Sequence, residues 1–136
     1  LGIAQAEIGA LSQQADDPEV VSSICAVLAE TDVINMVSRG ISAPNILKGI
    51  HISMADRLAK LLKSIKVDGG IVMTTGGLAL DSGLNVALNE SMEKLNLKCT
   101  VTSSPDSIYG GAIGAALWGA YRYGKLSELE QLAKAS

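Results

Sequence analysis

The chain has 136 residues, 48% of them hydrophobic, with no Phe, one Trp and a formal net charge of −3. That length suits one modest domain whose core must be filled by aliphatic side chains. No long basic run recommends nucleic acid as a partner, no apolar stretch reaches transmembrane length, and no signal-peptide pattern is seen.

The first predicted element is a helix over about Leu1 to Gln14, with Leu1, Ile3, Ile8 and Leu11 as apolar anchors. Leu1 is not an initiator methionine, and Leu1 to Leu11 reads as the tail of a helix already under way. The numbering is therefore expected to begin inside a longer protein. Asp16-Asp17-Pro18 ends the helix, because proline cannot extend it and restricts the residue before it. Glu19 to Ile24 reads as a short strand or extended segment. Cys25 then stands immediately before a second helix, Ala26 to Val37, which Arg39-Gly40 stops with a basic last turn and a glycine cap. Ser42 offers an N-cap to a third helix, about Ala43 to Ile65, with Pro44 in its first turn. Ile46, Leu47, Ile50, Met54, Leu58, Leu61, Leu62 and Ile65 form one stripe of 3.6 period there. His51 borders that stripe as a flank or core-edge residue, with a ligand role as the rarer reading.

Lys66 to Gly69 turns into Gly70-Ile71-Val72-Met73, too short for a helix and read as a buried strand. Thr74, Thr75 and the diglycine Gly76-Gly77 follow, and helical spacing resumes at once, with Leu78, Val86, Leu88, Met92 and Leu95 on one broad face. In strand, glycine turn and helix, a backbone without Cβ lets a ligand come close. The new helix would aim free N–H groups and a positive dipole end at it. Phosphate suits such a corner, although many strand-to-helix turns use glycine only to turn. The Walker and dinucleotide glycine fingerprints are both absent.

Leu97 to Thr102 reads as a second strand, with Leu97, Cys99 and Val101 on one face, so Cys99 is expected to be a packed thiol. A loop over Ser103 to Ser107 leads into a last long helix from Ile108-Tyr109-Gly110-Gly111 through Ala120. Its glycines each cost about 1 kcal/mol against alanine, which points to close approach to the sheet or a ligand. Trp118, Tyr121 and Tyr123 are expected to close one edge, and a short charged helix from about Ser127 ends the chain. Strands alternating with helices argue for an α/β fold. With only Cys25 and Cys99 there is no disulfide framework, and a reducing cytoplasm is the expected setting.

Four stretches resemble one known family. Ser22-Ser23-Ile24-Cys25-Ala26-Val27-Leu28-Ala29-Glu30-Thr31-Asp32-Val33-Ile34 resembles the second cysteine motif of the BadF/BadG/BcrA/BcrD-type ATPases. These are the ATP-hydrolysing activators of 2-hydroxyacyl-CoA dehydratases and the ATP-binding subunits of ATP-dependent benzoyl-CoA reductase. Gly49-Ile50-His51-Ile52-Ser53-Met54-Ala55-Asp56-Arg57-Leu58 resembles the helix that follows. Val72-Met73-Thr74-Thr75-Gly76-Gly77-Leu78-Ala79 is similar to the family's adenosine-side diglycine. Tyr109-Gly110-Gly111-Ala112-Ile113-Gly114-Ala115-Ala116-Leu117 is similar to its closing glycine-rich helix. Ala29-Glu30-Thr31-Asp32 and Pro105-Asp106-Ser107-Ile108-Tyr109 lean toward the benzoyl-CoA reductase branch.

The resemblance implies half of an actin-like, sugar-kinase-like (ribonuclease H-like) ATPase fold, a mixed sheet with packed helices. Residues 1–136 would be a single domain, the C-terminal nucleotide-binding half of a longer ATPase. The first half's phosphate loops, acidic Mg²⁺ site and other cysteine motif do not occur in this sequence. The resemblance further implies ATP or ADP with Mg²⁺, and a [4Fe–4S] cluster shared between two subunits and not expected in this chain alone. Cys25 would be one cluster ligand; read without the resemblance it is a buried thiol. Gly76 and Gly77 would lie on the nucleotide's phosphate and ribose side. Gly110 and Gly111 would approach the same cleft or merely pack. Lys48 would flank adenine or stay solvated. Glu30 and Asp32 receive no catalytic role, since acidic residues early in a helix favour its dipole.

The implied partners are a homologous ATPase subunit, the acyl-CoA reductase or dehydratase subunits, and a ferredoxin-like electron donor. The implied activity is ATP-gated, low-potential electron transfer to an acyl-CoA reductase, most of all benzoyl-CoA reductase, with the dehydratase activators as the alternative. A small-molecule kinase of the same superfold and a non-enzymatic interaction domain stay open. A Rossmann-type cofactor domain is disfavoured by its missing fingerprint.

Overall fold

The structure is a computed structural model that describes residues 1–22, 25–67 and 69–135. Its elements run α1 (Gln5–Ser12), α2 (Ala26–Ser38), α3 (Ala43–Ser64), β1 (Gly70–Met73), α4 (Ser82–Lys94), β2 (Cys99–Thr102), a 3-10 turn (Pro105–Tyr109) and α5 (Gly110–Ala135). This is the expected α/β order. Of the expected extended segment Glu19 to Ile24, the last two residues lie outside the described residues, as does Asp68 in the turn before β1. Residues 19–22 are not helical and pair with no strand.

Local chemistry sets most boundaries. Helix α2 ends at Arg39, and Gly40 takes φ +76°, so the N–H of Ile41 reaches Met36 O and that of Gly40 reaches Val37 O. That is the Schellman closure. Helices α3 and α4 close in the same way through Lys66 (φ 61°) and Asn96 (φ 57°), two left-handed residues that are not glycine. Ser42 occupies the N-cap of α3 with Pro44 in the first turn, as expected, although its side chain makes no cap bond. A side chain further along the helix serves the preceding loop instead. Asn45 Oδ1 accepts from the N–H groups of Asp16 and Asp17 (3.0 and 3.1 Å), and its Nδ2 donates to Asp16 Oδ1 (2.9 Å). The hydrogen bond from Asn45 holds the Asp16 carboxyl below its ordinary pKa.

The main core lies between α3, α4 and β2, where Ala55 and Ala59 meet Leu84, Ala87, Leu88, Met92 and Val101. Alanine on both helices lets their backbones come close, and Met92 fills what remains. A second cluster joins Val21, Met36 and Ile46. The buried face of α3 is therefore Asn45, Ile46, Leu47, Gly49, His51, Ala55 and Ala59. This differs from the predicted leucine stripe, whose distal members Leu58, Leu61 and Ile65 are exposed. Gly49 touches the chain after α1 so closely that a Cβ there would lie 1.9 Å from Glu19 O.

Among the described residues the sheet is one parallel pair, Gly70 opposite Cys99 through Met73 opposite Thr102, where a mixed sheet was expected. Strand β1 is not buried as predicted. Ile71 and Met73 are 75% and 58% exposed, because no element covers that face among the described residues. Parallel sheets are ordinarily covered on both faces. Cys99 is half-buried and its sulfur accepts from the Gly69 N–H (3.3 Å). Helix α5 also departs from expectation. Its described side chains from Gly111 onward are exposed, apart from half-buried Ser127, so its small residues do not serve tight packing here. Trp118 stacks on Tyr121 at 5.5 Å between ring centres, and both are exposed along with Tyr123, so they do not close an edge.

Candidate functional site

The diglycine turn is ordered by its neighbours. Thr74 continues the ladder through N–H to Thr102 O (2.9 Å), and the Gly76 N–H donates to Ser107 O (3.0 Å). Asn85 Nδ2 donates to Ala79 O (2.8 Å), and the Thr74 hydroxyl donates to Asn85 Oδ1 (3.1 Å). Gly76 has φ +95°, a left-handed conformation that glycine takes freely, whereas Gly77 needs no positive φ. A Cβ at either residue would meet open space, so the backbone there is bare on its outer side. Gly110 lies against the same turn: a Cβ there would come 3.0 Å from Thr75 Cβ. Gly111 next to it faces open space. Three of the four predicted glycines therefore have bare backbone, and the fourth allows α5 to start against the turn.

The helix after the diglycine does not begin where the pattern predicted. Residues 77–80 form a turn, Leu78 is exposed, and α4 starts only at Ser82. Asp81 is its N-cap, and Asp81 Oδ1 accepts from the Leu84 N–H (3.0 Å). The start of α4 packs against α1. A Cβ on Gly9 would lie 2.8 Å from Asp81 Oδ1 and 2.9 Å from the Ser82 nitrogen. The macrodipole argument for a phosphate directly at Gly76-Gly77 therefore loses its helix.

What the turn forms with α1 is a groove of about 350 Å³, lined by Gln5, Ala6, Gly9, Gly77, Leu80, Asp81, Ser82 and Ile108. Ala6, Leu80 and Ile108 supply apolar walls. Gln5 donates to Gly77 O (3.4 Å), and Gln13 donates to the Ser82 hydroxyl (3.0 Å). A small volume with apolar walls and a few polar groups is the usual make-up of a small-molecule site.

Beneath the groove lies a buried polar cluster that sequence reasoning left at the core edge. His51 on α3 sets Nδ1 3.1 Å from Ser12 Oγ and Nε2 3.5 Å from Asp81 Oδ2, with the His51 and Asp81 side chains each 7% exposed. Ser12 is fully buried, with Oγ 2.9 Å from Gly9 O and 3.1 Å from His51 Nδ1, so it cannot serve as a nucleophile toward a ligand. Burial pushes the His51 pKa below its ordinary value; Asp81 opposes that shift and Lys48 adds to it. The overlooked signal was local: Asp81-Ser82-Gly83 ahead of an apolar periodic run is a helix start.

The remaining predicted residues lie elsewhere. Lys48 Nζ sits between both oxygens of Glu90 (2.9 and 3.0 Å), and its side chain is 14% exposed. It does not line the groove beside Gly77. Cys25 is the N-cap of α2 and is exposed, not buried. It borders a largely apolar groove with Val21, Ala29, Val33, Ile50 and Met54. The Ser22–Ile34 motif is described except at Ser23 and Ile24. Within it Asp32 accepts from the Ser22 hydroxyl (3.3 Å). Among the described residues, no three or more His, Cys, Asp or Glu side chains gather to hold a metal ion. Cys25 and Cys99, on separate elements, do not complete a cluster's donor set within this chain. No described helix is long and apolar enough to cross a membrane.

Comparison with known proteins identifies the chain's family and fold. A benzoyl-CoA reductase subunit of Thauera aromatica is 71% identical over 131 residues, 96% of this chain and 46% of that protein. The (R)-2-hydroxyglutaryl-CoA dehydratase activating ATPase of Acidaminococcus fermentans is 38% identical over 113 residues, 83% of this chain and 40% of its own length. Among solved structures, the activator of the 2-hydroxyisocaproyl-CoA dehydratase from Clostridium difficile, with bound ADPNP, superposes with a TM-score of 0.73. It has 30% sequence identity and covers 94% of this chain and 45% of that one. The fold is thus that of the actin-like ATPase activators, and the chain spans about half the length of the relatives it matches. The sequence profile of the BadF/BadG/BcrA/BcrD ATPase family matches residues 1–119, and on this match and the 71% identity the chain belongs to that family.

Proposed function

We propose that residues 1–136 are the C-terminal, nucleotide-binding half of an ATP-hydrolysing subunit. That subunit would drive low-potential electron transfer to an acyl-CoA reductase, benzoyl-CoA reductase in particular. The observation that carries this reading is the 71% identity to the Thauera protein over nearly the whole chain, against 38% for the dehydratase activator. The geometry is compatible with it. An adenine ring would enter the groove between α1 and the diglycine turn, where Ala6, Leu80 and Ile108 offer apolar walls and Gln5 and Ser82 polar edges. The bare backbone of Gly76 and Gly77 would let the ribose and first phosphate lie against the turn, where Gly110 lets α5 start and Gly111 leaves its backbone bare. Lys48 is committed to Glu90 and stands outside this arrangement.

Cys25 fits one position of a [4Fe–4S] cluster shared with a homologous subunit, because its thiol is exposed at a helix start. When bound, such a cluster carries one electron at a time. This chain's part is to present the thiol on α2, whose Val27, Leu28 and Ile34 are also exposed. The other cluster ligands and the Mg²⁺ site would come from the other half or from the partner. Acyl-CoA chemistry would take place on reductase subunits, with a ferredoxin-like protein as donor.

The test uses the complete subunit with its partner. Cys25→Ala is expected to abolish the oxygen-sensitive iron content while ADP binding persists. Unchanged iron in that variant removes Cys25 from the cluster, and failure of the parent protein to bind ADP removes the nucleotide role. A second reading, activation of a 2-hydroxyacyl-CoA dehydratase, is favoured by the structural match to such activators at TM-scores of 0.73 and 0.69. Reconstitution with purified reductase or dehydratase subunits separates the two.

A further inference from the structure

We infer that His51 is a positioning residue for the nucleotide turn: it holds Asp81, and through Asp81 the wall of the groove beside Gly77. This rests on the nucleotide reading above. Three separate elements meet at the imidazole. Ser12 ends α1, His51 sits on α3, and Asp81 caps α4 while also lining the groove.

The hydrogens decide how the ring is used. A carboxylate oxygen favours a facing donor, so we assign the Nε2 hydrogen to the side of Asp81 Oδ2, a long contact of 3.5 Å. In the neutral ring that leaves Nδ1 as an acceptor 3.1 Å from Ser12 Oγ, so the single Ser12 hydrogen turns to the ring and away from Gly9 O, 2.9 Å off. Gly9 O then keeps its other donor, Gln13 Nε2, at 3.2 Å. Gln13 also reaches Ser82, so one consistent set of donors ties α1 to the start of α4. The other oxygen of Asp81 receives the Leu84 N–H, which leaves the carboxylate gripped from both sides. Gly83 is the packing condition for this arrangement. A Cβ there would lie 2.1 Å from Ser12 Oγ and 2.8 Å from His51 Cε1.

Among the described residues, His51 Nε2 faces Asp81 Oδ2 while the Leu84 N–H holds Oδ1, so His51 sets the second point that orients the carboxylate. Without that hold the carboxylate is free to swing about its cap bond toward Gln5 and Gly77, where a nucleotide's ribose hydroxyls or phosphate would meet it. His51 touches no ligand itself. Its effect on binding passes through Asp81.

Two variants separate this role from simple core support, read in the complete subunit. The His51→Gln amide can stand where Nε2 stands, and the His51→Asn amide where Nδ1 stands. Both lose the ring's packing, so both are expected to lower the thermal midpoint similarly. Calorimetric titration with Mg²⁺-ADP is expected to show about a tenfold weaker affinity in His51→Asn and a change within twofold to threefold in His51→Gln. Equal affinities in the two variants overturn the inference. Amide exchange at Leu84 supplies a reading that needs no nucleotide. It should quicken relative to Met92 in His51→Asn but not in His51→Gln, and equal exchange also overturns the inference. If the parent protein binds no ADP, the nucleotide reading falls while the Leu84 result still decides whether His51 holds Asp81. If His51→Asn does not fold, Ser12→Ala takes its place: it cuts only the Nδ1 side, so its affinity should stay within twofold of the parent, and a tenfold loss overturns the inference.

Discussion

The junction of α1, α3 and α4 and the long helix α5 invert the usual relation between hydrophobicity and burial. The junction buries Ser12, Asn45, His51 and Ser91, together with glycines that permit no side chain. Helix α5 exposes Ile113, Leu117, Trp118 and Tyr121. Burial here follows backbone proximity. Where helices approach through glycine and alanine, short polar side chains fit and pair with one another, so their desolvation is offset. A helix with larger apolar residues stays uncovered when nothing is placed to meet it.

The contrast can be broken most severely at the junction. Gly49→Ala drives a methyl group into Glu19 O and is expected to destabilise the domain by about 3 kcal/mol, measured by urea unfolding. A cost well below 1 kcal/mol would mean that this contact yields easily. Acidification should act on the same region more gently. The folded pKa of His51 lies below its unfolded value, so between the two the unfolded chain binds more protons. Stability is therefore expected to fall as pH drops through the unfolded value of about 6.5 and to level off below the folded one. The thermal midpoint should decline from pH 7.5 to 5.5, and His51→Gln should flatten that decline. The smallest effect is expected on α5, where Leu117→Ala should change the stability of residues 1–136 by less than about 0.5 kcal/mol. A cost of 2 kcal/mol or more would show that α5 is covered in solution.

The order of elements was legible because it rests on local signals. Arg39-Gly40, Ser42-x-Pro44 and the apolar run at Gly70 act over a few residues, and helices and strands formed there. The diglycine could be read for the same reason. The start of α4 was missed because helical spacing at Leu78 outweighed the Asp81 cap, although an N-cap carboxylate is the more specific signal. The burial of α3 was misread because periodicity ranks leucine above alanine, while a close helix pair selects the small face. The Ser12–His51–Asp81 cluster could not be read from spacing at all. Its members lie 39 and 30 residues apart, and only the fold brings them together. The exposure of Ile71, Met73 and α5 was equally hidden, since no pattern in a strand or helix states what will cover it.

Trp118 is the chain's single tryptophan, and it stands on α5, open to water and stacked on Tyr121. The intrinsic emission of residues 1–136 therefore reports on that helix and on little else. Any surface that settles over α5 should move this emission to shorter wavelength, giving an optical signal for assembly without an added label.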